Sequence, residues 1–319
     1  MSILLTHGYF LHEDEKELKI MRPYPPLGIL YLSGYLKEKN IDHVVFDSTF
    51  SFEEEWFDYV VKNKPELIAF YTNLMTKVKI LSLIEKIKSD EKLTDTKFLI
   101  GGPDVTYNIE NYMAFGADFL VIGEGEETFY EFINEFGGKQ DYAKINGLVF
   151  KDDNHKVVRN KPRIKIKDIN ELTFPNRDSI DLTQYLETWK THHGKSTLNI
   201  STQRGCPYTC QWCSTAVYGQ SYRRRSPKLV VDEIENLIKN AIDSMEGKGN
   251  INLSITEDAL NWLAEISYDV NYGARPIKRM IQKKIVDPLS MYILSDELED
   301  DSAIEIGTDG DGKFTFDKK

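Results

Sequence analysis

Along the first 138 residues, short apolar runs alternate with stretches of helical period. ILLTH at 3–7 reads as a strand, and PLGILYLSGYLKEKN at 26–40 as a helix with Leu27, Leu30, Tyr31 and Tyr35 at helical spacing. DHVVFDS is the next strand. FEEEWFDYVVKNK is a helix with acidic residues at its positive end and lysines at its close. The alternation continues through ELIAFYT, KVKILSLIEKIKSDEKL, KFLIGG, NIENYMAF, FLVIGEG and EETFYEFINEF, which makes five strands, each followed by a helix. Apolar strands between amphipathic helices predict a parallel sheet covered on both faces, a doubly wound α/β domain of flavodoxin-like order over 1–138.

In such a sheet, ligands bind beyond the carboxyl ends of the strands. Those ends carry Thr6–Gly8, Asp47–Ser48, Thr72–Asn73, Gly101–Gly102–Pro103 and Gly123–Glu124–Gly125. The two glycine-rich ends would let a bulky planar ligand approach the backbone, and ordinary tight turns would read the same way.

Residues 139–195 read as a connector, with a β-hairpin at GLVFKDDNHKVVRN and a loop holding His192 and His193, both expected to face solvent. GKST at 194–197 lacks the upstream glycine of a phosphate-binding loop, since position 189 is Trp, and no apolar strand leads into it. TLNISTQ at 197–203 is expected as a strand that runs into a cysteine-rich loop. SPKLVVDEIENLIKNAI then forms a helix capped by Ser226, with Val230, Ile234, Leu237 and Ile238 as its apolar stripe. The pattern changes near Asn250. A short strand, two helices and a closing hairpin make a small α+β segment over 250–319, and DGDG in its hairpin is a turn, because the Glu of a calcium loop is missing.

Hydrophobic residues make up 41% of the 319, which supports real cores rather than a disordered chain. The net charge of −11 argues against a nucleic-acid or anionic-membrane footprint. No apolar run reaches the ~20 residues of a membrane span, and the N-terminus does not read as a signal peptide, so a cytoplasmic location is expected.

All three cysteines lie in RGCPYTCQWCS: Cys206, Cys210 and Cys213. A structural zinc site wants four ligands, usually in two pairs, and no fourth cysteine exists. A redox pair of Cys210 and Cys213 leaves Cys206 unexplained. A 4Fe–4S cluster on three thiolates is well served and keeps one iron open. The C-x3-C-x-aromatic-C motif after a strand resembles the radical S-adenosylmethionine (SAM) enzymes. That resemblance implies that the three cysteines hold the cluster, that SAM chelates the open iron and is cleaved to a 5′-deoxyadenosyl radical, and that Trp212 lies against the adenine. The run YRRRSPKLVVDEIENL, with PYPPLGILYLSGYLKEKNID, IGGPD and VIGEGEETFYEF, is similar to the subclass with an N-terminal cobalamin-binding domain. The resemblance covers about 1–240. It implies a cobalamin site at Gly101, Gly102, Pro103, Gly123, Glu124 and Gly125. The D-x-H-x-x-G string that ligates cobalt in many such domains is absent, so cobalamin is expected to bind without a histidine ligand, His7 included.

A radical SAM core is a partial barrel of βα units. Here 196–245 supplies only its cluster loop and first helix. The tail instead resembles the small C-terminal domain of Clp-type AAA+ disaggregases, and GAR carries what would be a vestigial sensor-2 residue, Arg275. The chain therefore reads as two proteins joined near 245–250. The expected function is cobalamin-dependent radical SAM chemistry, with methyl transfer or a related reaction on a small-molecule substrate and no nucleic-acid or membrane partner. The alternative is a non-catalytic chimera whose tail is a protein-contact or oligomerisation module.

Overall fold

The computed structural model describes residues 1–208, 210, 218–219, 221–243, 251–267, 280–289, 302–309 and 313–318. The chain divides into two compact units, Met1–Arg223 and Arg224–Lys319.

The first unit is built on a seven-stranded sheet. Its strands are β1 (Ile3–His7), β2 (Val44–Phe46), β3 (Leu67–Tyr71), β4 (Lys97–Gly101), β5 (Phe119–Val121), β6 (Leu148–Lys151) and β7 (Val157–Arg159), in the order β2-β1-β3-β4-β5-β6-β7. The first five are parallel, and their order is the expected flavodoxin-like one. Around them lie α1 (Glu15–Ile20), α2 (Leu27–Glu38), α3 (Glu53–Asn63), α4 (Lys77–Lys88), α5 (Ile109–Ala114) and α6 (Glu126–Phe136). Successive side chains of a strand face opposite ways. Leu4, Ile68, Phe70, Phe98 and Ile100 pack with Trp56 of α3, Ile84 of α4 and Met113 of α5, while Leu5, Leu67, Ala69, Leu99 and Val121 pack with Leu36 of α2 and Phe132 of α6. In α2, Leu30 and Tyr31 are buried as the spacing predicts, but Leu27 and Tyr35 are only half-buried, because the other inward positions are Ile29, Ser33, Gly34 and Leu36.

Three local expectations differ from the structure. The hairpin β6–β7 is more than a connector: it pairs antiparallel on β5 and sends Leu148, Val149 and Phe150 into the two cores. His192 and His193 close a helix, α7 (Leu182–His193), instead of lying in a loop. His192 is exposed, whereas His193 Nε2 lies 3.0 Å from the Ile20 carbonyl and 3.1 Å from that of Met21. Residues 197–202 are irregular backbone, and only Gln203–Arg204 is extended pairing. A strand needs a neighbour along its length, and here the Asn199 backbone carbonyl accepts from the Arg177 side chain, while the Asn199 side-chain Nδ2 donates to the Pro25 carbonyl. Gly194 ends α7 at φ 70°, so GKST follows a helix C-terminus, the opposite of the helix start a phosphate loop requires.

In the second unit, α8 (Pro227–Asp243) packs with α9 (Glu257–Ser267) and with strand Ile251–Ile255. That strand pairs parallel with Ser302–Thr308, which pairs antiparallel with Phe314–Lys318. Leu263, Ile285, Leu289, Ile304 and Ile306 form its core. The unit thus takes in the helix that the sequence grouped with the cysteine loop. The expected join at 245–250 lies outside the described residues, as does Arg275.

Candidate cofactor cavity

The carboxyl ends of β1, β3, β4 and β5 open into a cavity of about 480 Å³ in the first unit. Its floor is apolar: Leu5, Ala69, Leu99 and Val121, one from each of four adjacent strands. All six residues assigned to cobalamin, Gly101, Gly102, Pro103, Gly123, Glu124 and Gly125, line it, and so do Arg204, Gly205 and Cys206 of the cysteine loop.

The glycines serve different ends. Gly102 sits at φ +120°, and a Cβ there would lie 2.1 Å from the Thr72 carbonyl oxygen, so this glycine is demanded by the packing of two strand ends. Gly123 sits at φ +90° with nothing within 4 Å of an added Cβ. It leaves free room on the cavity wall, the kind of cradle that a flat macrocycle such as a corrin can enter and that a side chain would fill. On this criterion the residues present fit cobalamin.

Cys206 is half-buried on the cavity wall, and Cys210 is exposed. Two thiols in one short loop are suitable soft donors for an iron–sulfur cluster. Cys213 and Trp212 lie outside the described residues. Among the described residues, no group of three His, Cys, Asp or Glu side chains converges on a metal position.

Charge is concentrated where the two loops meet. The Arg204 guanidinium, 6% exposed, reaches the Glu124 carboxylate at 3.3 Å and also pairs with Glu126. Arg223 Nη1 donates to both Glu124 oxygens at 2.9 Å, and the Ile166 N–H donates to Glu124 Oε2 at 2.8 Å. Glu124 lines the cavity, but its carboxylate is committed to this network. The Arg204 guanidinium also lies over the rings of Tyr31, at 5.4 Å, and Tyr218, at 5.3 Å. Burial works against the charge on Arg204. Glu126, by charge and hydrogen bond, outweighs it, with Tyr218 and Glu124 adding, so the guanidinium is held more firmly protonated than an ordinary arginine.

His7 stands at the end of β1, but it is turned into the protein. Its Nε2 lies 2.9 Å from Asp47 Oδ1, its Nδ1 lies 3.3 Å from Ser48 Oγ, and it does not line the cavity. Asp47 also accepts from the Tyr185 hydroxyl at 2.6 Å. Burial pushes the Asp47 carboxyl up. The His7 hydrogen bond and charge, then Tyr185 and the Thr49 N–H, outweigh it and hold the group below its ordinary value. Asp104 of IGGPD is a loop anchor: it accepts from the Tyr112 hydroxyl at 2.8 Å and from the Asn108 amide at 3.1 Å.

Arg204, Glu126, Arg223 and Tyr31 lie within runs that the sequence singles out, but nothing in those runs marks them, or Tyr218, as members of one charged cluster. The available signal was an arginine directly before the first cysteine and an acidic run, GEGEE, at a strand end.

Residues 18–133 match the family model described as the B12 binding domain. Residues 229–306 match that of the C-terminal D2-small domain of ClpB protein. The resemblances to a cobalamin-binding front and a Clp-type tail are both found, and the second match begins inside α8. An uncharacterised methyltransferase of Pyrococcus horikoshii is 28% identical over 221 residues, 67% of this chain and 46% of that protein. The chain spans about half the length of the curated relatives it matches, 46% and 42% for two of them. Among solved structures, the cobalamin-dependent SAM radical enzyme OxsB with aqua-cobalamin bound superposes with a TM-score of 0.62 at 17% identity, covering 82% of this chain and 36% of that one. The radical SAM methyltransferase TsrM of Kitasatospora setae, with cobalamin and a [4Fe-4S] cluster bound, gives 0.58 at 18% identity, covering 90% and 52%. Among the described residues, no helix is long and apolar enough to cross a membrane.

Proposed function

We propose that this chain is a cobalamin-dependent radical SAM protein whose reaction class is methyl transfer or a related reaction on a small molecule. The observation that carries the reading is one cavity lined by both the B12-domain loops and the cysteine loop. Cys206, Cys210 and Cys213 would be the three thiolate ligands of a 4Fe–4S cluster, and Trp212 would lie against the adenine of SAM. When bound, the cluster would supply an electron to SAM, and cobalamin would carry the methyl group. The chain's own residues bind and enclose. Gly123 would leave the wall open to the corrin and the apolar floor would exclude water, while among the described residues no histidine lines the cavity.

A second reading is favoured by a separate observation: residues 229–306 match a ClpB small domain, and α8 folds with it. On that reading the chain is a non-catalytic chimera, and its tail binds a protein partner.

Anaerobic reconstitution with iron and sulfide tests the first reading. The wild-type chain is expected to turn brown, absorb at the blue edge of the visible and take up cobalamin, and Cys210→Ala should lose the iron. Stoichiometric zinc with no iron uptake would sink it.

A further inference from the structure

The buried ions at the cavity wall tie together two segments far apart in sequence. Glu124 and Glu126 belong to the loop after β5, inside the B12-domain match, and Arg204 belongs to the cysteine loop. The two glutamate side chains are 2% and 5% exposed. If Arg204 withdrew, Glu124 would keep Arg223 and the Ile166 N–H, but the Glu126 carboxylate would lose its arginine in a poorly hydrated site, which is strongly unfavourable. The buried carboxylate therefore favours the cysteine loop docked with its arginine in place.

The backbone carries this constraint to the first cysteine. Gly205, between Arg204 and Cys206, has φ +86°, and a Cβ on it would lie 2.0 Å from the Ser221 carbonyl oxygen. Gly205 is thus packed closely against Ser221 between the anchored arginine and the thiol. On the other side of the lock, Gly123 and Gly125 flank Glu124 and line the cavity.

We propose that Arg204 is a positioning residue that couples the two cofactor loops, so that an occupied corrin cavity and a loaded cysteine loop favour one another. The inference rests on the reading above and goes beyond it, since that reading allows the two cofactors to bind independently. Coupling between sites is reciprocal: if a docked cysteine loop tightens cobalamin binding, cobalamin tightens retention of the cluster by the same factor.

The test uses the full 319-residue chain without oxygen. Hydroxocobalamin affinity is measured by equilibrium dialysis, with and without the reconstituted cluster. The wild-type chain is expected to bind about tenfold more tightly when the cluster is present, within the usual range for coupled sites. In Arg204→Gln the ratio should fall to about one, while each cofactor still binds alone. Arg204→Lys keeps the charge but cannot span two carboxylates, so its ratio should be intermediate. If near-UV circular dichroism shows that Arg204→Gln has not folded, the comparison rests on Arg204→Lys, and a full wild-type ratio there overturns the proposal. It is also overturned if folded Arg204→Gln keeps the tenfold ratio, or if the wild type binds cobalamin equally with and without the cluster. A wild-type chain that takes up neither iron nor cobalamin overturns the functional reading itself, a distinct result.

Discussion

Single residues around the cavity separate into those that shape it and those that lock it from behind. Gly123→Ala should leave the fold standing, at a cost of about 1–2 kcal/mol for its left-handed backbone, and abolish cobalamin uptake, because the methyl group enters open cavity space. Gly102→Ala should do the reverse, lowering the melting temperature strongly through collision with the Thr72 carbonyl. Thermal melts beside cobalamin titrations check both. His7→Ala should leave the spectrum of bound cobalt unchanged, since both ring nitrogens of His7 are turned to Asp47 and Ser48. It should, however, alter the response to acid. The Asp47 carboxyl is held below its ordinary value, so it contributes stability above the unfolded carboxylate pKa of about 4, and that contribution is lost as pH falls through the lower folded value. Removing His7 shrinks the shift, so the variant's melting temperature should fall less between about pH 5 and pH 2 than the wild type's. Identical slopes would contradict the assignment. The glycine-rich strand ends were legible because glycine declares its backbone freedom. Arg204 was not, since a charged residue in a loop looks solvated until the fold brings Glu124 and Glu126 to it.

At the level of elements, the five parallel strands and their helices stood out because period and apolar runs agree locally. What sequence could not show was which elements pair across long gaps. The hairpin β6–β7 looked like a connector, yet it covers the edge that β5 would otherwise leave open. A fragment ending at Gly138 has the complete alternating pattern, but it loses the buried Leu148, Val149 and Phe150. At 1.5–3 kcal/mol for each fully buried apolar side chain, that is about 4.5–9 kcal/mol, comparable to the whole stability of a small domain. The fragment 1–138 should therefore melt far below one that runs through Asn160, or fail to melt cooperatively. Equal midpoints by denaturant unfolding would show the hairpin to be dispensable. The expected strand at 197–203 failed for the same reason in reverse: its apolar alternation is real, but over 197–202 no neighbour pairs with it.

At the scale of the whole molecule, a front that matches a B12 binding domain over 18–133 is followed by a unit that matches a different family model. The described residues of 224–319 build a small three-stranded sheet with α8 and α9, and 229–306 match a ClpB small domain, where the radical SAM resemblance implies further barrel strands. Fixing a substrate in reactive geometry is worth about 7–11 kcal/mol, and those strands would supply much of it. The 319-residue chain should accordingly fail to release 5′-deoxyadenosine over multiple turnovers with dithionite under nitrogen, and sustained release would mean that the tail completes a working site. On the proposed function, corrin and cluster share one cavity. Low-temperature electron paramagnetic resonance of the dithionite-reduced chain carrying both cofactors tests it most directly, because two paramagnets in one cavity broaden each other's signals. The cobalt(II) signal should be broadened relative to that of Cys210→Ala, which is expected to retain cobalamin but not iron. Identical cobalt signals in the two samples, with iron confirmed in the wild type, would contradict it.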